Sequence, residues 1–346
     1  MDKLETLTKN VVELITEDEL KEVLKKNKPK GYIGFEPSGT VHLGWTICTS
    51  KIKDFLECGF EFYVLLADWH AYINDKLDGD IEKIKLCGKY MEDCFAAMGV
   101  DTKKIKFVYA SDYVSDPKYW ETVLRVSKAN SVKRAKRAMD IMGRSEDEAE
   151  KDLSKLFYPA MQVSDIFYLD LDVAYGGMDQ RHAHMLARDT AKKLNRKSPV
   201  ALHTPLLTGL QAGGRMDPTE VKMSKSVPDS MISIHDAVDE VNRKVKKAYC
   251  PEGVVEGNPI LEMCKFVIFP ELKGSFKIER PEKFGGNLEF ESYEELEAAF
   301  VKDLHPLDLK NATAVYINQI LEPVQRYFEK HSESYTKMKK LGIIHA

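Results

Sequence analysis

Apolar residues in the first two-thirds of the chain alternate between short continuous runs and spacings of three and four. Residues 4–26 carry Leu4, Val11, Leu14, Ile15 and Leu24 at helical spacing, and Thr16-Glu-Asp-Glu reads as an N-cap with an acidic first turn. The apolar positions Tyr32, Ile33 and Phe35 predict a short buried strand. Pro37-Ser38-Gly39 predicts a tight turn, and a helix starting near His42 continues through 46–58 to stop at Gly59. Phe60–Ala67 is a second buried run. A strand–helix–strand unit of this length implies parallel pairing through a right-handed crossover. A helix over 81–98, strands over 105–110 and 171–174, a strongly apolar helix over 157–169 and a last strand and loop over 201–210 follow. Past Pro228-Asp229 the spacing is helical at 235–250, 258–268, 293–301 and 308–331, and the tail 326–346 reads as a helix extension with a loose end. The pattern predicts an α/β protein, a Rossmann-like parallel sheet followed by a mostly α-helical C-terminal domain.

Composition changes this picture little. A chain of 346 residues suits two domains or one large and one small. It has no apolar run of the roughly 18 residues a membrane span needs, and its first residues lack the apolar stretch of a signal peptide. Six cysteines with no Cys-x-x-Cys pair point to buried thiols in a reducing compartment, the cytoplasm. The net charge of −4 argues against a surface coated for nonspecific nucleic-acid binding. It leaves room for a local stripe, and 131–144 supplies one: Lys133, Arg134, Lys136, Arg137 and Arg144, with Asp140 as the only acid. Positions 133, 136, 137 and 144 share a helical face, which favours phosphate contact.

The candidate chemistry begins in the stretch Gly31–Trp45. A strand feeding a Gly-rich turn and a helix N-terminus offers backbone N–H groups and a positive dipole end to phosphate. Neither Gly-Lys-Ser/Thr nor Gly-x-Gly-x-x-Gly is present, so this is no P-loop and no dinucleotide fingerprint. Asp68-Trp69-His70 falls at the carboxyl end of the second strand, where open α/β sheets place ligands. In the apolar helix, Tyr158, Gln162 and Asp165 recur at spacings of four and three, on one face. A buried carboxylate there is costly unless something satisfies it. A second polar cluster, Gly176-Gly-Met-Asp-Gln180-Arg181, follows a strand end and favours a ligand pocket over an internal network. His182 and His184, two apart, point to different faces of a helix, which argues against a metal. Gly213-Gly214 opens a loop carrying Lys222-Met-Ser-Lys-Ser, two lysines and two hydroxyls suited to neutralising a leaving pyrophosphate.

A His-x-Gly turn at 42–44 and Lys-Met-Ser-Lys-Ser some 180 residues later resemble the paired signatures of class I aminoacyl-tRNA synthetases. Over almost the whole chain, to about residue 325, the sequence is similar to the tyrosyl-tRNA synthetases of the archaeal and eukaryotic type. The similarity lies in Gly34-Phe-Glu-Pro-Ser-Gly, Ala67-Asp-Trp-His-Ala, Tyr158-Pro-Ala-Met-Gln-Val-Ser-Asp, Gly177-Met-Asp-Gln-Arg, Ala248-Tyr-Cys-Pro and Leu304-His-Pro-Leu-Asp-Leu-Lys. The fourth position of the first signature is Trp45, where many relatives carry His.

This resemblance implies a tyrosine–tRNA ligase that activates L-tyrosine with ATP and transfers it to tRNA(Tyr). Its catalytic domain would span 1–228, with a connecting insertion at about 110–160 and the mobile loop at 213–228; the helical anticodon-binding domain and tail would span 229–346. By the same resemblance Tyr32 and Asp165 grip the phenol. Tyr158, Gln162 and Gln180 hold the ammonium side, and Glu36 lines the pocket nearby. Gly39, His42, Gly44, Lys222, Ser224 and Lys225 serve ATP, with Mg²⁺ on its phosphates; His42, Lys222 and Lys225 carry the catalytic charge stabilisation. The helix holding Lys133, Arg134 and Arg137 meets the acceptor stem, and Phe284, His305 and Asp308 meet the first anticodon base. Asp308 also stands where it would N-cap the helix that follows. A homodimer is expected. A tryptophanyl enzyme on the same scaffold is the nearest alternative, but an indole N–H only donates, whereas a phenol can both donate to Asp165 and accept from Tyr32. An inactive RNA-binding relative and a plain nucleotidylyltransferase are the readings from other classes.

Overall fold

The computed structural model describes residues 2–142, 152–211, 223 and 228–344, with the main chain alone at Asp140, Pro228 and Phe284. The expectations for Arg144, Gly213, Gly214, Lys222, Ser224, Lys225 and Ser226 fall outside those residues. The chain forms two compact units: Met1–Gly39 with Lys51–Ala96 and Val100–Pro205, and Thr40–Ser50 with Ala97–Gly99 and Leu206–Ala346.

The first unit is built on a six-stranded sheet: β1 (Glu13–Ile15), β2 (Lys30–Phe35), β3 (Glu61–Leu66), β4 (Ile105–Tyr109), β5 (Val173–Gly177) and β6 (Val200–Thr204), in the spatial order β1-β6-β5-β2-β3-β4. All neighbours pair parallel except β1, which runs antiparallel to β6. The continuous apolar run in β3 is accounted for by its place inside the sheet, with Phe62, Val64 and Leu66 fully buried. The helices α1 (Lys3–Thr8), α2 (Glu17–Leu24), α3 (Trp45–Glu57), α4 (Asp68–Ile73), α5 (Ile81–Ala97), α6 (Pro117–Ala129), α7 (Val132–Ala138), α8 (Ser154–Tyr168) and α9 (Arg181–Lys193) follow the chain order between strands.

Three expectations need correcting. Residues 4–26 are not one helix. Asn10 takes a left-handed φ of 56°, the β-branched stretch after it extends, and β1 pairs with β6 before α2 begins. The helix after the first turn starts at Trp45 rather than near His42. The basic stripe is not one helix through 144, because α7 ends at Ala138. The cap at Thr16 is as expected: its hydroxyl accepts from Glu19 N at 3.3 Å, and Glu19 Oε2 accepts from Thr16 N at 3.1 Å.

The second unit is mostly helical: α10 (Val238–Lys247), α11 (Pro259–Met263), running on through Cys264–Ile268 and Phe269–Glu271, then α12 (Tyr293–Lys302), α13 (Pro306–Lys330) and α14 (Glu333–Lys340). A short antiparallel pair, β7 (Phe276–Ile278) with β8 (Leu288–Phe290), was not foreseen, since three-residue strands leave no periodic signal. Nor is the tail loose over its described residues, as far as Ile344. Met338 and Ile344 are buried, and the Tyr335 ring stacks on His235 at 4.0 Å. Among the described residues no helix is long and apolar enough to cross a membrane. None of the six cysteines, all among the described residues, forms a disulfide, and five of them are buried.

Candidate active site

From β2 the chain passes to β3 and β4 on one side, then to β5 and β6 on the other, so the order reverses between β2 and β5. Carboxyl ends flanking such a reversal are where open α/β sheets bind ligands. Glu36 follows β2, α4 follows β3 after Ala67 alone, and Met178–Gln180 follows β5. Tyr32, at 1% exposure, pairs in register with Tyr63 on one side and Ala174 on the other.

The helix α8 presents its polar face there, as the spacing of Tyr158, Gln162 and Asp165 requires. Asp165 is completely buried. Its Oδ1 accepts from the Tyr113 hydroxyl at 2.8 Å and the Tyr119 hydroxyl at 2.9 Å. Its Oδ2 has no hydrogen-bond partner among the described residues, although His70 Nε2 lies 3.0 Å away. That approach is close but is not an aligned hydrogen bond. Burial alone would lower the His70 pKa, but the charge of Asp165, with Glu36 and Asp68 behind it, raises it above its ordinary value. The Tyr32 phenol is held far above the usual range by burial and then by the Asp165 charge, with Gln162 partly offsetting this.

At the other end of this polar face, Tyr158 donates to Glu36 Oε1 at 2.7 Å, and Asn74 Nδ2 bridges both Glu36 oxygens at 2.9 and 3.1 Å. The Tyr158 pKa is raised well above the ordinary phenol value by burial, then by the Glu36 charge. Gln162 Nε2 donates to Gln180 Oε1 at 3.0 Å, while Gln162 Oε1 is buried with no partner. The structure therefore brings Tyr32, Glu36, Tyr158, Gln162, Asp165 and Gln180 together, and leaves two buried acceptors on one face of α8 without a hydrogen bond among the described residues. The residue pattern missed His70, Tyr113, Tyr119 and Asn74 as members of this set. His70 had a signal, its place at a strand's carboxyl end. The two tyrosines had none, because only packing of α6, and of the turn before it that holds Tyr113, against α8 brings them to Asp165.

In the second unit, His42 bridges Ser233 in an antiparallel contact, with Leu43 N donating to Ile232 O at 2.8 Å. Gly44 N donates to His42 Nδ1 at 3.1 Å, and a Cβ at Gly44 would lie 2.8 Å from His42 Cε1. Only glycine fits beneath that ring. With Nδ1 accepting, the neutral imidazole carries its proton on Nε2. Gly39, in the first unit, takes a φ of 118°, and its N–H is occupied by Cys87 Sγ at 3.2 Å. The expectation of free backbone donors at this turn does not hold for Gly39.

The residues expected to meet RNA divide similarly. Lys133 and Arg137 are exposed on α7, one turn apart. Arg134 is instead tied to Asp189 at 2.6 Å. The cap of α13 is His305, whose Nδ1 accepts from Leu307 N at 3.1 Å, not Asp308. Asp308 sits in the first turn, 4.0 Å from Arg280 Nη1, and Arg280 Nε donates to Gly286 O at 2.9 Å beside the Glu282–Phe284 turn.

A buried polar cluster at the reversal point, with both signature segments on the same chain, defines a class. The family described as tRNA synthetases class I (W and Y) matches residues 24–322, and the chain belongs to it. Within that class, the chain is 53% identical over 344 residues to a tyrosine–tRNA ligase of Sulfolobus acidocaldarius, covering 96% of this chain and 95% of the relative. It is 51% identical over 341 residues to that of Sulfurisphaera tokodaii, covering 96% and 94%. Among solved structures, it is similar to tyrosyl-tRNA synthetase from Aeropyrum pernix (43% identity, TM-score 0.88, 98% of each chain). It is likewise similar to the Pyrococcus horikoshii enzyme complexed with L-tyrosine (40% identity, TM-score 0.91, 98% and 100%).

Proposed function

We propose that this chain is a tyrosine–tRNA ligase whose amino-acid pocket is the polar face of α8. The observation that carries the reading is the pair of buried acceptors with no hydrogen-bond partner among the described residues, Asp165 Oδ2 and Gln162 Oε1, three residues apart. Unpaired buried acceptors are costly, and a ligand with one donor at each end removes the cost. Tyrosine has such donors, its phenol hydroxyl and its ammonium. In this reading Asp165 accepts from the phenol while Tyr32 bonds its oxygen. Gln162, Gln180 and Tyr158 hold the ammonium, and Glu36 fixes Tyr158. Tryptophan would satisfy Asp165 as a donor but offers Tyr32 no acceptor.

The reaction needs no protein nucleophile. The tyrosine carboxylate attacks the α-phosphorus of ATP, pyrophosphate leaves, and the terminal ribose hydroxyl of tRNA then takes the tyrosyl group from AMP. The chain contributes positioning and charge stabilisation. His42 offers Nε2–H to a phosphate oxygen, the Gly44 backbone admits the nucleotide closely, and Gly39 shapes the turn before it. Lys222, Ser224 and Lys225 neutralise the leaving pyrophosphate. Mg²⁺ enters as part of the MgATP substrate; no group of three or more His, Cys, Asp or Glu among the described residues could hold a metal ion.

Lys133 and Arg137 contact the acceptor stem, with Arg134 bracing their helix. Phe284, His305 and Asp308 contact the first anticodon base, where a carboxylate can accept from a guanine edge. We place the enzyme in the cytoplasm, in keeping with its free thiols. We also infer a homodimer, supported by exposed Trp120 and Leu124 one turn apart on α6. The decisive experiment is exchange of labelled pyrophosphate into ATP with each amino acid in turn. Exchange driven by tyrosine supports the reading; exchange driven by tryptophan, or by none, would overturn it.

A further inference from the structure

The Asp165 carboxylate is set by residues the reaction never touches. Asp116 caps α6 by accepting from Lys118 N at 2.9 Å, and it also accepts from the Tyr168 hydroxyl at 2.7 Å. Tyr168 of α8 lies against both Tyr113 and Tyr119, with ring centroids at 5.1 and 5.7 Å. The three rings thus lock one another, and Tyr113 and Tyr119 both end on Oδ1 of Asp165. Two donors fill both lone pairs of that oxygen. A carboxylate otherwise turns about its Cβ–Cγ bond with little preference, and here it cannot turn without breaking two hydrogen bonds.

We infer that Tyr113 and Tyr119 are positioning residues for amino-acid specificity: by saturating Oδ1 they hold Oδ2 as the single fixed acceptor that tells a phenol from a bare ring. This rests on the tyrosine reading given above. Both phenols remain donors at any working pH, because burial and then the Asp165 charge raise their pKa values well above the ordinary 10. His70 Nε2 lies 3.0 Å from Oδ2 without an aligned bond, so that oxygen keeps its acceptor capacity for the ligand hydroxyl.

The test measures kcat/KM of pyrophosphate exchange with tyrosine and with phenylalanine in wild type, Tyr113→Phe, Tyr119→Phe and the double variant. A substitution that merely loosened packing would lower both values together. The ratio of the two is also independent of the folded fraction of each preparation. Each single variant should lower the Tyr/Phe ratio by roughly 10-fold, the effect of one hydrogen bond to a charged group. Adding Tyr113→Phe to Asp165→Ala should not change the ratio further, because the tyrosine acts through that carboxylate. A discriminating wild type with an unchanged ratio in all three tyrosine variants would overturn the inference alone. So would an undiminished effect of Tyr113→Phe without Asp165. A wild type that activated phenylalanine as well as tyrosine would overturn the tyrosine reading itself.

Discussion

Two buried polar clusters lie on either side of Tyr32. On one side is Asp165 with His70, Tyr113 and Tyr119. On the other, the Tyr32 ring lies 6.4 Å from His184, whose Nδ1 meets His203 Nε2 at 3.0 Å. His203 Nδ1 meets Glu13 Oε2 at 2.9 Å, and Arg181 Nε meets both Glu13 oxygens at 2.9 Å. Among the described residues no buried side-chain nitrogen or oxygen of that second network lacks a hydrogen bond, whereas Asp165 Oδ2, Gln162 Oε1 and both His70 nitrogens do. The histidines also shift in opposite directions. His70 is raised, its carboxylate neighbours outweighing burial. His184 is lowered by burial and then by His203, and His203 by burial despite Glu13. Both clusters are polar and have buried members, so burial does not separate scaffold from site. Completeness of pairing does.

The sharpest break in that contrast is Asp165→Ala. It should lower the tyrosine-over-phenylalanine ratio in pyrophosphate exchange about 100-fold, removing a charged hydrogen bond to the substrate, while ATP affinity stays near normal. An unchanged ratio would remove Asp165 from the pocket. Asp308→Ala, outside both clusters, should lower aminoacylation of tRNA by roughly 10-fold and leave tyrosine-dependent exchange intact. Because His305 is the cap, its stability loss should stay within about 0.5 kcal/mol. A parallel fall in exchange and melting temperature would make it structural only.

Glu13→Gln tests the paired cluster. It should reduce unfolding free energy by about 1 kcal/mol, discounted for the partial exposure of Glu13 and Arg181, with the Tyr/Phe ratio unmoved. A change in that ratio would join the two clusters. The smallest effect is the pH dependence of stability. His70 has a folded pKa above its ordinary 6.5, so its contribution is complete below that pH and is lost as pH rises through the raised value. His184 and His203 are depressed, so theirs is present above 6.5 and is lost as pH falls through the lowered values. Urea midpoints across this range should therefore lose their alkaline slope in His70→Gln and their acid slope in His203→Gln. Identical profiles in the two variants would contradict the opposite shifts.

The sequence by itself determined what local geometry repeats. The run at Phe60–Ala67 forms β3 with only its ends trimmed. The cap at Thr16 forms as written. Tyr158, Gln162 and Asp165 share a face because 3.6 residues per turn put them there whatever they pack against. The tertiary structure decided the rest. Glu13–Ile15 became a strand because β6 offered it an edge, and isolated helix propensity is weaker than a paired ladder. Asp308 lost the cap to His305, Arg134 was claimed by Asp189, and the tail was pinned by Tyr335 on His235. Above all, Tyr119 reached Asp165 from α6 and Tyr113 from the turn that precedes it. Periodicity is a property of neighbours along the chain, whereas the partner of a buried carboxylate is whatever packing brings within about 3 Å.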